Sequence, residues 1–125
     1  MTPDEKGVLI VEDDPDARES LVALLELEGY RVREAADGEE ALRVLRSSPA
    51  SVILLDIFMP GMNGCAFLTE QSRDPALADI PVVVISADAV AVRKASRRGI
   101  AGAMTKPVDH DRLFEIVGRY CRSPA

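Results

Sequence analysis

Aromatic side chains are scarce in this chain: they make up 4% of its 125 residues, and there is no tryptophan. Aliphatic side chains must therefore build the core. Cysteine is nearly absent as well. Cys65 and Cys121 give neither a disulfide framework nor metal-ligand spacing, and are expected as buried or half-buried free thiols in a reducing cytoplasm. Basic charge is in deficit. A formal net charge of −6 excludes a surface built to coat nucleic acid, so no direct nucleic-acid partner is expected. No apolar run approaches membrane-spanning length, and the opening residues Met1 to Lys6 lack the pattern of a secretory signal. A cytoplasmic location without a membrane partner is the expectation. Neither Gly-x-x-x-x-Gly-Lys nor Gly-x-Gly-x-x-Gly follows a strand, which excludes the common nucleotide-binding loops. With no repeat, linker or low-complexity tract, residues 1–125 are expected to form one domain.

What is present is an alternation. Val8 to Val11 reads as a short buried strand that stops at Glu12-Asp13-Asp14. Pro15 suits the first position of a helix, with Asp14 as its N-cap. Ala17, Leu21, Leu24 and Leu25 then recur at helical spacing, Arg18, Glu19, Glu26 and Glu28 face outward, and Gly29 closes the helix. Tyr30 to Ala36 is a charged strand suited to a sheet edge. Asp37-Gly38 turns into a helix whose first turn carries Glu39 and Glu40, and Ser47-Ser48-Pro49 ends it.

Val52 to Leu55 shows no polar alternation, so it reads as a strand buried on both faces. It delivers the chain to Asp56, and Pro60, Gly61, Asn63 and Gly64 soon afterwards forbid regular structure. A third helix is expected from near Asn63-Gly64 to about Arg73. Val82 to Ile85 is another buried strand, stopping at Ser86. Helix four is expected over Asp88 to Arg98, with Gly99 breaking it. Ile100 to Thr105 is a short strand before Lys106-Pro107. A last helix starts at about Asp109, with Leu113, Ile116, Val117 and Tyr120 on one face. Five strand–helix repeats imply an α/β fold: a parallel five-stranded sheet with helices on both faces, fitting the doubly wound, flavodoxin-like order 2-1-3-4-5.

In open α/β sheets ligands bind beyond the carboxyl ends of the strands. Those ends carry Glu12 and Asp13, Asp56, Ser86 and Lys106. Three carboxylates packed together repel one another unless a cation joins them. Their hard oxygens suit Mg²⁺, an ion that commonly works on phosphates. Mg²⁺ with Lys106 would neutralise a phosphoryl group arriving at Asp56, and the Ser86 hydroxyl would donate to one of its oxygens. A carboxylate is also a recognised covalent acceptor. Such chemistry is mainly positioning and electrostatic neutralisation.

Val-Leu-Ile-Val-Glu-Asp-Asp, Leu-Leu-Asp-Ile-Phe-Met-Pro-Gly-Met-Asn-Gly, Ile-Pro-Val-Val-Val-Ile-Ser-Ala and Met-Thr-Lys-Pro, in this order and spacing, resemble the receiver domain of two-component response regulators. The resemblance covers almost the whole chain. It implies that Asp56 takes a phosphoryl group from a sensor histidine kinase or a phosphotransfer protein. It further implies a Mg²⁺ site made by Asp13, Asp56 and the main-chain carbonyl of Phe58, with Glu12 acting through water. Ser86 matches the switch hydroxyl and Lys106 the phosphoryl-pairing lysine, with a cis bond implied at Lys106-Pro107. Phe58 and Asp88, each two residues beyond a key position, would tune loss of the phosphoryl group. One departure stands out: the aromatic usually found three residues before the lysine is Ala103, so the ring that normally follows the switch hydroxyl is missing.

His110, the sole histidine, is expected in solvent at the start of the last helix, and Cys65 in the core just inside helix three. Arg93, Lys94, Arg97 and Arg98 make a basic group in an acidic chain. They read either as a solvated helix end or as part of a docking face on helix four, strand five and helix five, through which a homodimer would form. A phosphatase with an aspartyl nucleophile would place it after the first strand, with a second Asp two residues on. Here position 58 is Phe. The alternative from another class is an unphosphorylated receiver-like interaction module, which would lack part of the charged set that this chain keeps. The expected function is a phosphorylated signalling domain that assists its own phosphorylation and dephosphorylation rather than an enzyme acting on a separate substrate.

Overall fold

The structure, a computed structural model, describes residues 7–57, 64–97 and 99–121. Five strands and five helices alternate along the chain: β1 (Val8–Val11), α1 (Pro15–Leu27), β2 (Val32–Ala35), α2 (Gly38–Ser47), β3 (Val52–Asp56), α3 (Gly64–Arg73), β4 (Val82–Ser86), α4 (Ala89–Ser96), β5 (Gly102–Thr105) and α5 (His110–Tyr120). The strands form one parallel sheet in the order β2-β1-β3-β4-β5, as the alternation predicts.

Side chains of a strand alternate between faces, so a doubly covered sheet should sort its residues by parity. It does. Leu9, Val11, Ile53, Leu55, Val82 and Val84 join one core with Leu42 and Leu45 of α2 and Phe67 of α3. Val8, Ile10, Val52, Leu54, Val83, Ile85 and Met104 join the other with Leu25 of α1 and Leu113, Ile116 and Val117 of α5. Charged β2 lies at the edge, where the Arg33 guanidinium donates to the Pro49 carbonyl at 2.8 Å.

The helix ends follow local chemistry. The carboxylates of Asp14, Asp37, Asp88 and Asp109 cap α1, α2, α4 and α5 by accepting main-chain N–H groups of the first turn. Gly29 follows the α1 cap with φ +91°, and the next amide, Tyr30 N–H, donates back to Leu25. This is the left-handed closure that glycine permits without steric cost.

Several sequence expectations need correction. Cys65 is exposed, not core. The buried seam of α3 runs through Gly64, Phe67, Leu68 and Gln71, and position 65 lies about 100° off it. Tyr120 is also exposed, because the α5 seam continues from Leu113, Ile116 and Val117 to Cys121 instead. On α1 only Leu25 is fully buried, with Leu21 and Leu24 packed partly against the core. Arg18 does not face outward: it is folded back against the sheet edge, with 18% of its side chain exposed. Helix four starts one residue later than expected, because Asp88 is spent on the cap, and it ends at Ser96. Arg98 lies outside the described residues. Among the described residues, no helix is long and apolar enough to cross a membrane.

Candidate phosphoryl-transfer site

Register and parity assemble the acidic rim. Val11 is aligned with Leu55, so the next pair along is Glu12 with Asp56. Both share the parity of Ile10 and Leu54, which face α1 and α5. Lys106, two residues beyond Met104, has the same parity on the far side of β4. The geometry follows. Carboxylate oxygens of Glu12, Asp13 and Asp56 lie within 4.8 Å of one another. The Lys106 ammonium donates to Glu12 Oε1 at 2.7 Å and stands 3.8 Å from Asp56 Oδ2.

The electrostatics of this group are asymmetric. Burial pushes the Glu12 carboxyl above its ordinary range; the adjacent Asp56 carboxylate adds to this, and Lys106 offsets only part. For Lys106, burial works against the ammonium. The hydrogen bond and charge of Glu12, with Asp56 and Asp13 behind them, outweigh it and hold the lysine above its ordinary value. Among the described residues, the Lys106 ammonium is the cation set against these three carboxylates. Glu12 Oε2 is buried with no hydrogen-bond partner among the described residues, a costly condition for a carboxylate oxygen. That orphaned oxygen, the clustered hard donors and the excess negative charge fit a divalent cation.

Ser86 ends β4 one residue beyond Ile85, the register partner of Asp56. It is almost completely buried, and its Oγ accepts the Asp88 N–H at 3.1 Å. A hydroxyl can accept one hydrogen bond and still donate another. The Asp88 carboxylate accepts from Val90 and Ala91, so it is engaged in capping α4. Lys106 is tied to the same corner through its main chain, donating to the Ser86 carbonyl at 2.8 Å, and the Lys106–Pro107 peptide is cis. Phe58, expected to offer a carbonyl to the metal and to tune the site, lies outside the described residues, as do Met59 to Asn63. The Gly64 N–H donates to the Ile57 carbonyl at 3.0 Å.

Residues 8–118 match the family model described as the response regulator receiver domain. The chain belongs to that family.

Relatives of this receiver domain include Protein PilH of Pseudomonas aeruginosa, 32% identical over 112 residues, covering 88% of this chain and 93% of that protein. The positive alginate biosynthesis regulatory protein of the same species is 39% identical over 122 residues, covering 93% of this chain but 47% of that protein. Among solved structures, the receiver domain of a P. aeruginosa sensor histidine kinase has a TM-score of 0.82 with 27% identity, covering 90% of this chain and 94% of that one. That structure has a magnesium ion coordinated in its active-site cleft.

The receiver domain also contains a site residue that the sequence reading placed in solvent. Arg18 donates from Nε to Glu34 Oε1 at 2.9 Å and from a terminal nitrogen to the Glu12 carbonyl at 2.9 Å. The only hint in the sequence is an arginine one turn after the Asp14 cap and a glutamate on an edge strand.

Ala103 on β5 pairs with Val84 on β4 and packs partly against the core. His110 is exposed at the first position of α5, with its ring tilted against Phe114 at 6.5 Å between centroids.

Proposed function

We propose that Asp56 is the phosphoacceptor of this receiver domain. The observation that carries this reading is the rim itself: three strand ends bring Glu12, Asp13, Asp56 and Lys106 within reach of one phosphoryl group. An Asp56 oxygen attacks the phosphorus of a phosphohistidine, the P–N bond breaks, and an acyl phosphate remains. Asp13 and Asp56 would hold Mg²⁺ directly, with Glu12 acting through water and the Phe58 carbonyl completing the protein ligands. Bound Mg²⁺ supplies neutralisation of the negative charge that otherwise opposes phosphate approach. Lys106 turns from Glu12 to a phosphoryl oxygen, and the Ser86 hydroxyl donates to another. Ala103 leaves these contacts without the usual ring to report them.

The donor is a sensor histidine kinase or a phosphotransfer protein. A mainly apolar groove of about 370 Å³, lined by Ala17, Leu21, Leu24, Pro107, Val108 and His110, opens beside Lys106 and suits its approach. The output partner reads the face formed by α4, β5 and α5, which also suits a homodimer. The domain assists its own phosphorylation and dephosphorylation, residues 1–125 act as one unit, and the location is cytoplasmic.

Incubation with a small acyl phosphate and Mg²⁺, followed by intact-protein mass spectrometry, tests this. One added phosphoryl mass is expected, absent without Mg²⁺ and absent in Asp56→Asn. Phosphorylation of Asp56→Asn at the native rate would refute it.

A second expected result needs no phosphodonor. Mg²⁺ that binds the native state at 100 times its Kd stabilises by about 2.7 kcal/mol, raising the thermal midpoint by about 10 °C. Asp13→Asn should abolish most of that rise. Circular dichroism melts with and without Mg²⁺ measure it, and equal midpoints would contradict a metal site.

A further inference from the structure

We propose that Arg18 is a positioning residue for the acidic rim: it fixes the peptide between Glu12 and Asp13 and so sets how their carboxylates present to a divalent cation. The proposal rests on the reading of these carboxylates as the metal-holding group.

Glu12 and Asp13 lie just past β1, where the sheet no longer holds the backbone on both sides. The Glu12 N–H is the last amide of this strand tied to β2, donating to the Ala35 carbonyl at 3.1 Å. Its carbonyl has turned toward α1, and the Arg18 guanidinium donates to it at 2.9 Å. The peptide before Glu12 is thus tied to β2, and the Glu12–Asp13 peptide that follows is held through its carbonyl by Arg18 of α1. A rotation of that plane would swing Asp13 away from Glu12 and Asp56, whose oxygens it must approach closely to share one ion.

Arg18 is itself aimed by a second contact. Its Nε donates to Glu34 on β2 at 2.9 Å, and the planar guanidinium allows two donors in fixed relation to serve both partners. The root of the side chain is also fixed, because the Arg18 N–H donates to the Asp14 carbonyl in the first turn of α1. The Glu34 side chain is half exposed, and an ion pair in that setting contributes little stability by itself. Its service is orientation. The contact to Glu12 is less exposed, made by a side chain only 18% accessible. Groups that orient metal ligands without touching the metal commonly govern affinity.

Titration of Mg²⁺ by calorimetry into wild type, Arg18→Met, Arg18→Lys and Glu34→Gln tests this, with Asp13→Asn as the reference for loss of the site. Arg18→Met is expected to raise the Mg²⁺ Kd about tenfold. Arg18→Lys, which keeps one donor, should fall between it and wild type, and Glu34→Gln should lie closest to wild type. In phosphorylation with a small donor, the Mg²⁺ concentration at half-maximal rate should rise with the Kd, while the rate at saturating Mg²⁺ moves far less. A residue serving only the fold would lower the metal-free thermal midpoint and leave the Kd, measured well below that midpoint, unchanged. That result would overturn the proposal. Unchanged affinity in Arg18→Met alongside lost affinity in Asp13→Asn would overturn the Arg18 role alone. Absence of Mg²⁺ binding in wild type would overturn the metal reading with it.

Discussion

Phe67→Ala is expected to destabilise the fold by about 3–5 kcal/mol, the range for removing a large aromatic from a closed core. Phe67 is fully buried on α3 and heads the fully buried side chains in volume. It packs in a cluster of otherwise aliphatic residues contributed mainly by β1, β3, β4 and α2, with Ala35, Leu68 and Ala95 from β2, α3 and α4. Few neighbours are large enough to move into the space, because the chain has only three phenylalanines, two tyrosines and no tryptophan. Small domains hold about 5–15 kcal/mol in total, so the variant would lose a large part of its stability. Urea denaturation should show a lower midpoint with an unchanged slope. Phe67→Leu, which keeps most of the volume, should lose less than about 1.5 kcal/mol. Equal stability of Phe67→Ala and wild type would mean that α3 is not packed as described.

Lys106→Ala should have two separable effects. It should leave Asp56 able to accept a phosphoryl group while greatly weakening the change in partner binding that follows, since no other described cation reaches both Glu12 and Asp56. It should also lower stability without Mg²⁺ by roughly 1–3 kcal/mol, because the buried Glu12 carboxylate loses its hydrogen-bonded ion pair. The second effect should shrink when Mg²⁺ is added and when Glu12→Gln is combined with it. Those two rescues distinguish lost charge compensation from lost packing. Melts of the single and double variants with and without Mg²⁺, and partner binding before and after phosphodonor treatment, read the two effects. Unchanged partner response in Lys106→Ala would count against its role.

The strands were legible because a sheet covered on both faces demands unbroken apolar runs, and Val8–Val11, Val52–Leu55 and Val82–Ile85 are such runs. Their abrupt ends made Glu12, Asp13, Asp56 and Ser86 visible, and parallel topology carries all those ends to one edge. Lys106 was legible by the same logic after a weaker strand. What pattern could not supply was the phase of short helices. The α3 seam passes through positions 64, 67, 68 and 71, and nothing in the Pro60–Gly64 stretch fixes that phase, so helical spacing alone places Cys65 in the core where the structure exposes it. Arg18 was missed for a different reason. Periodicity assigns it to the polar side of α1, but its long side chain reaches past the helix to β1 and β2. That contact depends on strand order, which a sequence window does not contain.

The most direct test is to locate the phosphoryl group. After reaction with a small acyl phosphate in Mg²⁺, borohydride reduction converts a carboxyl bearing a phosphoryl group to an alcohol, and peptide mass spectrometry then finds the altered residue. The account predicts modification at Asp56 alone, dependent on Mg²⁺. Modification at Asp13 or elsewhere in place of Asp56, or none at all, would contradict it.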